Sequence, residues 1–270
     1  MESIFFDHPN GKVHALRFGH GPRLLVALHG FGDRARMFAV LDEALAAFYT
    51  VVAIDLPFHG QTEWTHRTFT KMELLQIIRQ VMQRENKDRL SMMAFSFGGR
   101  LTLALLPELA PQLDKLYLLS PDGINTQGMS MAVRVPMGVR NWMYGALVRP
   151  DWFLKLVSTG RKMGVVPPLI SHFMASNLTR PERFRRTFGC WLALNSFYLR
   201  RRRIKAVWRE HNLPIDIYFG NNDEMILLKS LRKMTVGLPN VRLFVIEDTG
   251  HRVVNEELME HLISNRVFTP

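Results

Sequence analysis

"RLSMMAFSFGGRLTLALLPELA" (residues 89–110) is the stretch that decides the fold. Its first half is an apolar run of strand length, and its second half carries apolar residues at helical spacing. A serine and two glycines stand at the join. A strand that passes into a helix without a loop must turn sharply at one residue, and Ser96 is that residue. Gly98 and Gly99, without side chains, let the helix pack close to the strand. A serine at such a join points beyond the sheet edge, and the first turn of the helix presents main-chain N–H groups beside it. The plainer alternative is a serine that caps the helix. The rest of the chain chooses between them.

Working outward, the same alternation recurs. "RLLVALHG" (23–30) and "YTVVAIDLP" (49–57) are continuous apolar runs, as expected of strands buried on both faces. Residues 37–48 between them have helical spacing. "TKMELLQIIRQVMQREN" (70–86) predicts an amphipathic helix with Leu74, Ile77, Ile78 and Val81 on one face, and "KLYLLSP" (115–121) predicts another strand. Later in the chain, strands at 214–220 and 241–247 alternate with helices over 226–236 and 255–266. At the start, residues 4–6 and 12–18 flank "DHPNG" and predict a hairpin on an Asn-Gly turn. Strands and helices in alternation imply an α/β fold whose mostly parallel, doubly wound sheet is covered on both sides. From 121 to 213 the alternation gives way to helices broken by Pro and Gly. The chain therefore reads as a core of residues 1–120 and 214–270 with a helical insertion at 121–213.

With 270 residues and 47% hydrophobic content, the chain can bury one large core. No apolar run reaches the roughly 18 residues that suggest a membrane span. The first residues carry acidic groups where a secretion signal carries basic ones. Cys190 is the single cysteine, so it forms no internal disulfide and no multi-cysteine metal site. That usage fits the reducing cytoplasm, and no metal or cofactor is expected.

Ala94-Phe95-Ser96-Phe97-Gly98 is similar to the Gly-x-Ser-x-Gly elbow of the α/β-hydrolase superfamily, with alanine in place of the first glycine. The resemblance runs over the whole core. "HGFG" (29–32) and "DLPFHGQT" (55–62) resemble two further segments of that family. Asp223 in "YFGNNDEMI" follows one strand and His251 in "DTGHRV" follows the next, which is the superfamily's order of serine, acid and histidine. The resemblance implies that Ser96 is the nucleophile, His251 its base and Asp223 the carboxylate that orients the imidazole. It also implies an oxyanion hole made by the backbone N–H groups of Phe31 and Phe97. His29, Asp55, His59 and Gly60 read as loop-shaping residues. Asp122 sits after an earlier strand, where some relatives carry their acid, and Glu224 adjoins Asp223. Asp223 also reads as a helix cap ahead of Met225 and Ile226, and Asp248 as a turn residue. Serine at position 96 excludes the aspartate-nucleophile epoxide hydrolases and dehalogenases of this fold.

The implied activity is a carboxylesterase-like serine hydrolase. It would cleave esters or thioesters with an apolar acyl group through an acyl-enzyme, with no cofactor. A C–C hydrolase, a lyase or a perhydrolase would use the same triad, and a non-catalytic ligand-binding protein on the same scaffold is the alternative from another class. The net charge is +11, and residues 121–213 hold 16 Lys and Arg against 4 Asp and Glu, so the surplus lies wholly in the insertion. In the family that insertion is a lid. Trp142, Trp152, Phe153, Phe173, Trp191 and Phe197 are interspersed with its charges. An ordinary lid lines an apolar pocket and turns its arginines to water. A sharper reading is a dock for an anionic carrier, such as acyl carrier protein, or for an anionic membrane surface. Nucleic acid is least favoured, because no nucleic-acid module accompanies the charge. Nothing in the sequence speaks to oligomeric state.

Overall fold

Burial along the first strand, β1 (Glu2–His8), alternates: Ile4 and Phe6 face inward while Ser3 and Phe5 face out. It pairs antiparallel with β2 (Gly11–Phe18). The computed structural model describes residues 1–124, 136, 138–142, 151–164, 166, 180–194, 196–265 and 267–268. His8 pairs with Gly11, so the turn residues are Pro9 and Asn10, one position earlier than the expected Asn-Gly pair. Gly11 holds φ at +140°, and a Cβ there would strike the Glu63 carbonyl of a short strand that the sequence did not announce. Close approach to that strand, not the turn, is what needs the glycine.

The remaining strands are β3 (Arg23–Leu28), β4 (Tyr49–Ile54), β5 (Glu63–Trp64), β6 (Leu90–Phe95), β7 (Leu113–Leu119), β8 (Ile215–Gly220) and β9 (Val241–Ile246). They form one sheet in the order β1-β2-β4-β3-β6-β7-β8-β9, with β5 paired to β2. Every pairing from β4 to β9 is parallel. All residues of β4, β6 and β8 are buried, which is why these strands read as continuous apolar runs. Asp216, 1% exposed on β8, accepts from Arg242 of β9 and lies 2.8 Å from Lys115 Nζ of β7, so a buried charge ties the three strands together.

Residues 37–48 were expected to be helical. The structure shows a 3-10 helix over Ala35–Leu41 followed by one turn of α1 (Asp42–Leu45). Its buried residues Ala35, Phe38 and Leu41 recur every third position, the period of the tighter helix. Helix α2 (Lys71–Arg84) begins at a capping box in which Thr70 and Glu73 satisfy each other's backbone N–H. Helix α3 (Phe97–Leu109) is buried on nearly every side.

In the inserted region residues 138–142 are helical, and α4 (Asp151–Lys162), α5 (Pro181–Ala193) and α6 (Arg201–Glu210) follow. The break between α5 and α6 buries Phe197 and lets Ser196 Oγ accept from Lys71 N at 2.8 Å. The helix expected near 167–178, Phe173, and the side chains of Trp152 and Phe153 lie outside the described residues. Helices α7 (Leu228–Thr235) and α8 (Glu256–Ser264) follow β8 and β9.

The chain groups into two compact units. The first holds Met1–Thr65, Thr70–Thr126 and Ser196–Pro270; the second holds His66–Phe69 and Gln127–Asn195. Helix α6, with its run of arginines, belongs to the first. Within the second, Phe184, Phe188 and Trp191 pack ring against ring, and the buried Arg140 guanidinium lies over Trp191. Among the described residues, no helix is long and apolar enough to cross a membrane.

Candidate active site

A parallel sheet places the carboxyl ends of its strands along one edge, and the loops that leave that edge carry the candidate residues. Ser96 follows β6 directly and holds φ 47° and ψ −112°. Such a backbone costs a non-glycine residue about 1–3 kcal/mol. It is held from both sides: Ser96 N donates to Leu119 O (3.0 Å), while its carbonyl accepts from Gly99 N (2.9 Å) and Asp122 N (3.0 Å). A Cβ at Gly98 would strike the carbonyls of Leu28 and His29, and one at Gly99 would come within 2.8 Å of Pro121 Cβ. The two glycines let α3 start against β3 and β7.

Asp223 and His251 arrive on the loops after β8 and β9. These loops are stitched together by Asn222 N to Thr249 O (3.0 Å), Asn221 N to Ile246 O (3.0 Å) and Thr249 N to Asn221 Oδ1 (3.3 Å). Gly220 permits this closeness, because a Cβ there would meet the carbonyls of Thr249 and Gly250. The result joins three distant parts of the chain. His251 Nδ1 lies 2.9 Å from Asp223 Oδ2, and His251 Nε2 lies 2.8 Å from Ser96 Oγ. A carboxylate only accepts, so Nδ1 carries the ring proton and Nε2 is left to accept from the serine hydroxyl.

The Asp223 side chain is fully buried and that of His251 is 17% exposed. Burial alone would raise the Asp223 pKa. The hydrogen bond and charge of His251 and the N–H of Ile226 outweigh it and hold the carboxyl below its ordinary value. Ser120, buried beside it, works in the same direction, although its Oγ makes no hydrogen bond of normal geometry. Asp223 Oδ1 also accepts from Met225 N (2.8 Å) and Ile226 N (2.9 Å). The two oxygens divide the work: Oδ2 meets His251, and Oδ1 holds the turn at Met225 and Ile226, ahead of a helix that starts only at Leu228, so Asp223 caps that turn and not the helix. Asp122, the other candidate acid, is engaged elsewhere: Arg100 grips it with two hydrogen bonds of 2.7 and 2.9 Å. Glu224 is exposed, and Asp248 sits in a turn at φ 53°.

Phe31 and Phe97 lie at the same edge, in the loop after β3 and in the first turn of α3. The loop around Phe31 is braced by two histidines. His29 Nε2 accepts from Leu56 N (3.0 Å) and its Nδ1 donates to Gly30 O (2.7 Å). His59 Nε2 accepts from Gly32 N (3.1 Å) and its Nδ1 donates to Pro57 O (2.9 Å). Asp55 anchors the neighbouring loop by accepting from Ala35 N (2.6 Å) and Gln61 N (2.8 Å), and a Cβ at Gly60 would collide with its carboxylate. These residues shape loops, as expected.

The sequence reading missed His14, buried with its Nδ1 2.7 Å from Asp55, because a lone histidine on a strand carries no signal. It also missed Gly220, Asn221 and Ser120, although "GNND" at a strand end could have marked the first two. Among the described residues, no cluster of three or more His, Cys, Asp or Glu is placed to hold a metal ion.

Comparison with known proteins agrees with this architecture. An uncharacterised protein of Mycobacterium tuberculosis is 24% identical over 268 residues, covering 92% of this chain and 76% of that one. An uncharacterised hydrolase of Bacillus subtilis is 24% identical, covering 90% and 89%. The solved structure of a thermophilic esterase from Thermogutta terrifontis superposes with a TM-score of 0.70 at 16% identity, covering 99% and 97%. A family model described as alpha/beta hydrolase fold matches residues 23–257. The chain belongs to the alpha/beta hydrolase fold family.

Proposed function

We propose that the protein is a serine hydrolase that cleaves carboxylic esters or thioesters with an apolar acyl group. The observation that carries this reading is the continuous path from Asp223 Oδ2 through His251 to Ser96 Oγ, with links of 2.9 and 2.8 Å. A neutral hydroxyl is a poor nucleophile, so Nε2 of His251 takes the Ser96 proton as Oγ attacks the acyl carbon. The charge that builds on the acyl oxygen is met by the N–H groups of Phe31 and Phe97. The imidazolium, stabilised by the ionised Asp223, then protonates the leaving alcohol or thiol. Water, deprotonated by His251, splits the acyl-enzyme and restores Ser96. The Phe95 ring, 5.4 Å from the imidazole, and the half-exposed Phe31 supply the apolar surroundings. The name of the Thermogutta terrifontis neighbour, an esterase, is in keeping with this chemistry.

A fluorophosphonate probe followed by peptide mapping tests the reading. The expected result is one label on Ser96 that Ser96→Ala and His251→Ala both remove while the melting temperature holds. A chain that hydrolyses no p-nitrophenyl ester from acetate to palmitate and takes no label would overturn it.

A further inference from the structure

Helices α6 and α7 adjoin each other in the first compact unit: Lys205 Nζ donates to Val236 O (2.6 Å), and Asn240 Nδ2 to Trp208 O (3.3 Å). Their inward faces bury Ile204, Val207 and Trp208 on α6, and Leu231 and Met234 on α7. The outward faces expose Arg201, Arg202 and Arg209 on the first helix, and Lys229, Arg232 and Lys233 on the second. Among the described residues, no ion pair joins any of these six cations to a carboxylate; the pair on this surface is Arg203 with Glu210, at 3.9 Å and well exposed. Packing so many like charges on adjacent helices costs stability, which a bound anionic partner would offset. Large exposed apolar side chains flank α7 at both ends. Val236 at the end of α7 is 68% exposed, and Met225 and Leu227 just before it are 70% and 47% exposed.

We propose that the outward faces of α6 and α7 dock on the surface of an anionic lipid bilayer. The chemistry distinguishes this occupant from an acidic protein or a nucleic acid. The outward faces of the two helices carry the cations, and single exposed apolar side chains stand at both ends of α7. A layer of lipid headgroups accepts cations at no fixed geometry, and each Lys or Arg near the surface adds to the attraction. The acyl boundary beneath accepts isolated Val, Leu and Met side chains. A phosphodiester backbone takes up the charge but offers those side chains nothing. Met225 and Leu227 belong to the loop that carries Asp223, so docking brings the candidate active site to the membrane. The binding does not depend on the chemistry proposed for Ser96.

Co-sedimentation of the full chain carrying Ser96→Ala tests this, with vesicles of phosphatidylcholine alone or with about a third of phosphatidylglycerol. The expected result is binding to the anionic vesicles only, released by salt. Arg232→Glu with Lys233→Glu should weaken it at least about tenfold, and Arg201→Glu with Arg202→Glu similarly. Val236→Ser should weaken it several-fold without changing its salt dependence. Unaltered melting curves, and unaltered hydrolysis of a short soluble ester in the Ser96 background, show that the variants are intact. Equal binding to neutral and anionic vesicles overturns the proposal, as does indifference to the charge reversals. Charge-dependent retention on heparin without vesicle binding overturns it too, and assigns the surface to a polyanion. Failure of ester hydrolysis in the parent chain counts against the proposed function and leaves the vesicle result standing.

Discussion

Ser96 is held in a backbone conformation that a residue with a Cβ seldom adopts, and the contacts around it supply the constraint. Gly98→Ala places a methyl group against the Leu28 and His29 carbonyls, which are strand backbone and cannot swing aside. We expect a loss of about 1–3 kcal/mol in urea unfolding, together with slower probe labelling of Ser96. Asp223→Asn keeps the shape and removes the charge. If the proposed mechanism holds, kcat falls about a thousandfold to ten-thousandfold with little change in KM. The same variant has a signature in stability. Because the folded Asp223 carboxyl is held below its ordinary pKa, its contribution is fully present above the unfolded value, about 3.9, and is lost as pH falls through the folded one. The gap between wild type and Asp223→Asn should be widest near neutrality and close below about pH 4. A gap independent of pH would show that the charge of Asp223 does not carry the effect.

At the scale of elements, helix α8 carries a second titratable feature. His261 packs against Tyr218 and Phe244 of β8 and β9, its Nε2 is buried without a hydrogen bond, and burial pushes its pKa down. The folded state resists a proton that the unfolded chain accepts near pH 6.5, so stability is full above that value and falls as pH drops through it. His261→Leu should flatten the dependence: the urea midpoint of wild type should fall more than the variant's between about pH 7.5 and 5.5. Parallel curves would place the acid sensitivity elsewhere. The elements also show what pattern alone reveals. Thr70 followed by Glu73 marks the start of α2, where the capping box forms. The 3-10 segment over Ala35–Leu41 was less legible, because residues three apart share a face in either helix and seven residues hold too few of them to tell the periods apart.

For the whole molecule, the order of assembly matters. β6 sits near the centre of the sheet, whereas β8 and β9 join at its edge from the far end of the chain. Parallel pairings across such separations form slowly, because loop closure must precede the contacts that reward it. Ser96 should therefore regain reactivity toward a fluorophosphonate only in the last refolding phase, when the loops bearing Asp223 and His251 arrive. Stopped refolding with pulsed labelling checks this; reactivity that recovers together with the earliest protection of β6 would contradict it. Charge is also decided at this scale. Residues 121–213 hold the surplus in the sequence, yet Arg201, Arg202 and Arg209 stand on a helix that groups with the sheet-bearing unit, beside the cations of α7.

Taken alone, the order of residues determined the strand–helix alternation, the turn at Ser96 and the candidate triad of Ser96, Asp223 and His251. These are legible because a buried parallel strand is apolar throughout and an elbow needs small residues beside it. Only the tertiary structure decided that Asp223 faces His251 while Asp122 answers to Arg100. It also showed that His14 stands on Asp55, and that α6 lies beside α7. The reason is physical. Periodicity records which way a side chain faces relative to its own element, whereas partnership between carboxylates, imidazoles and guanidinium groups depends on strand order and loop path. Those are set by the packing of the whole chain.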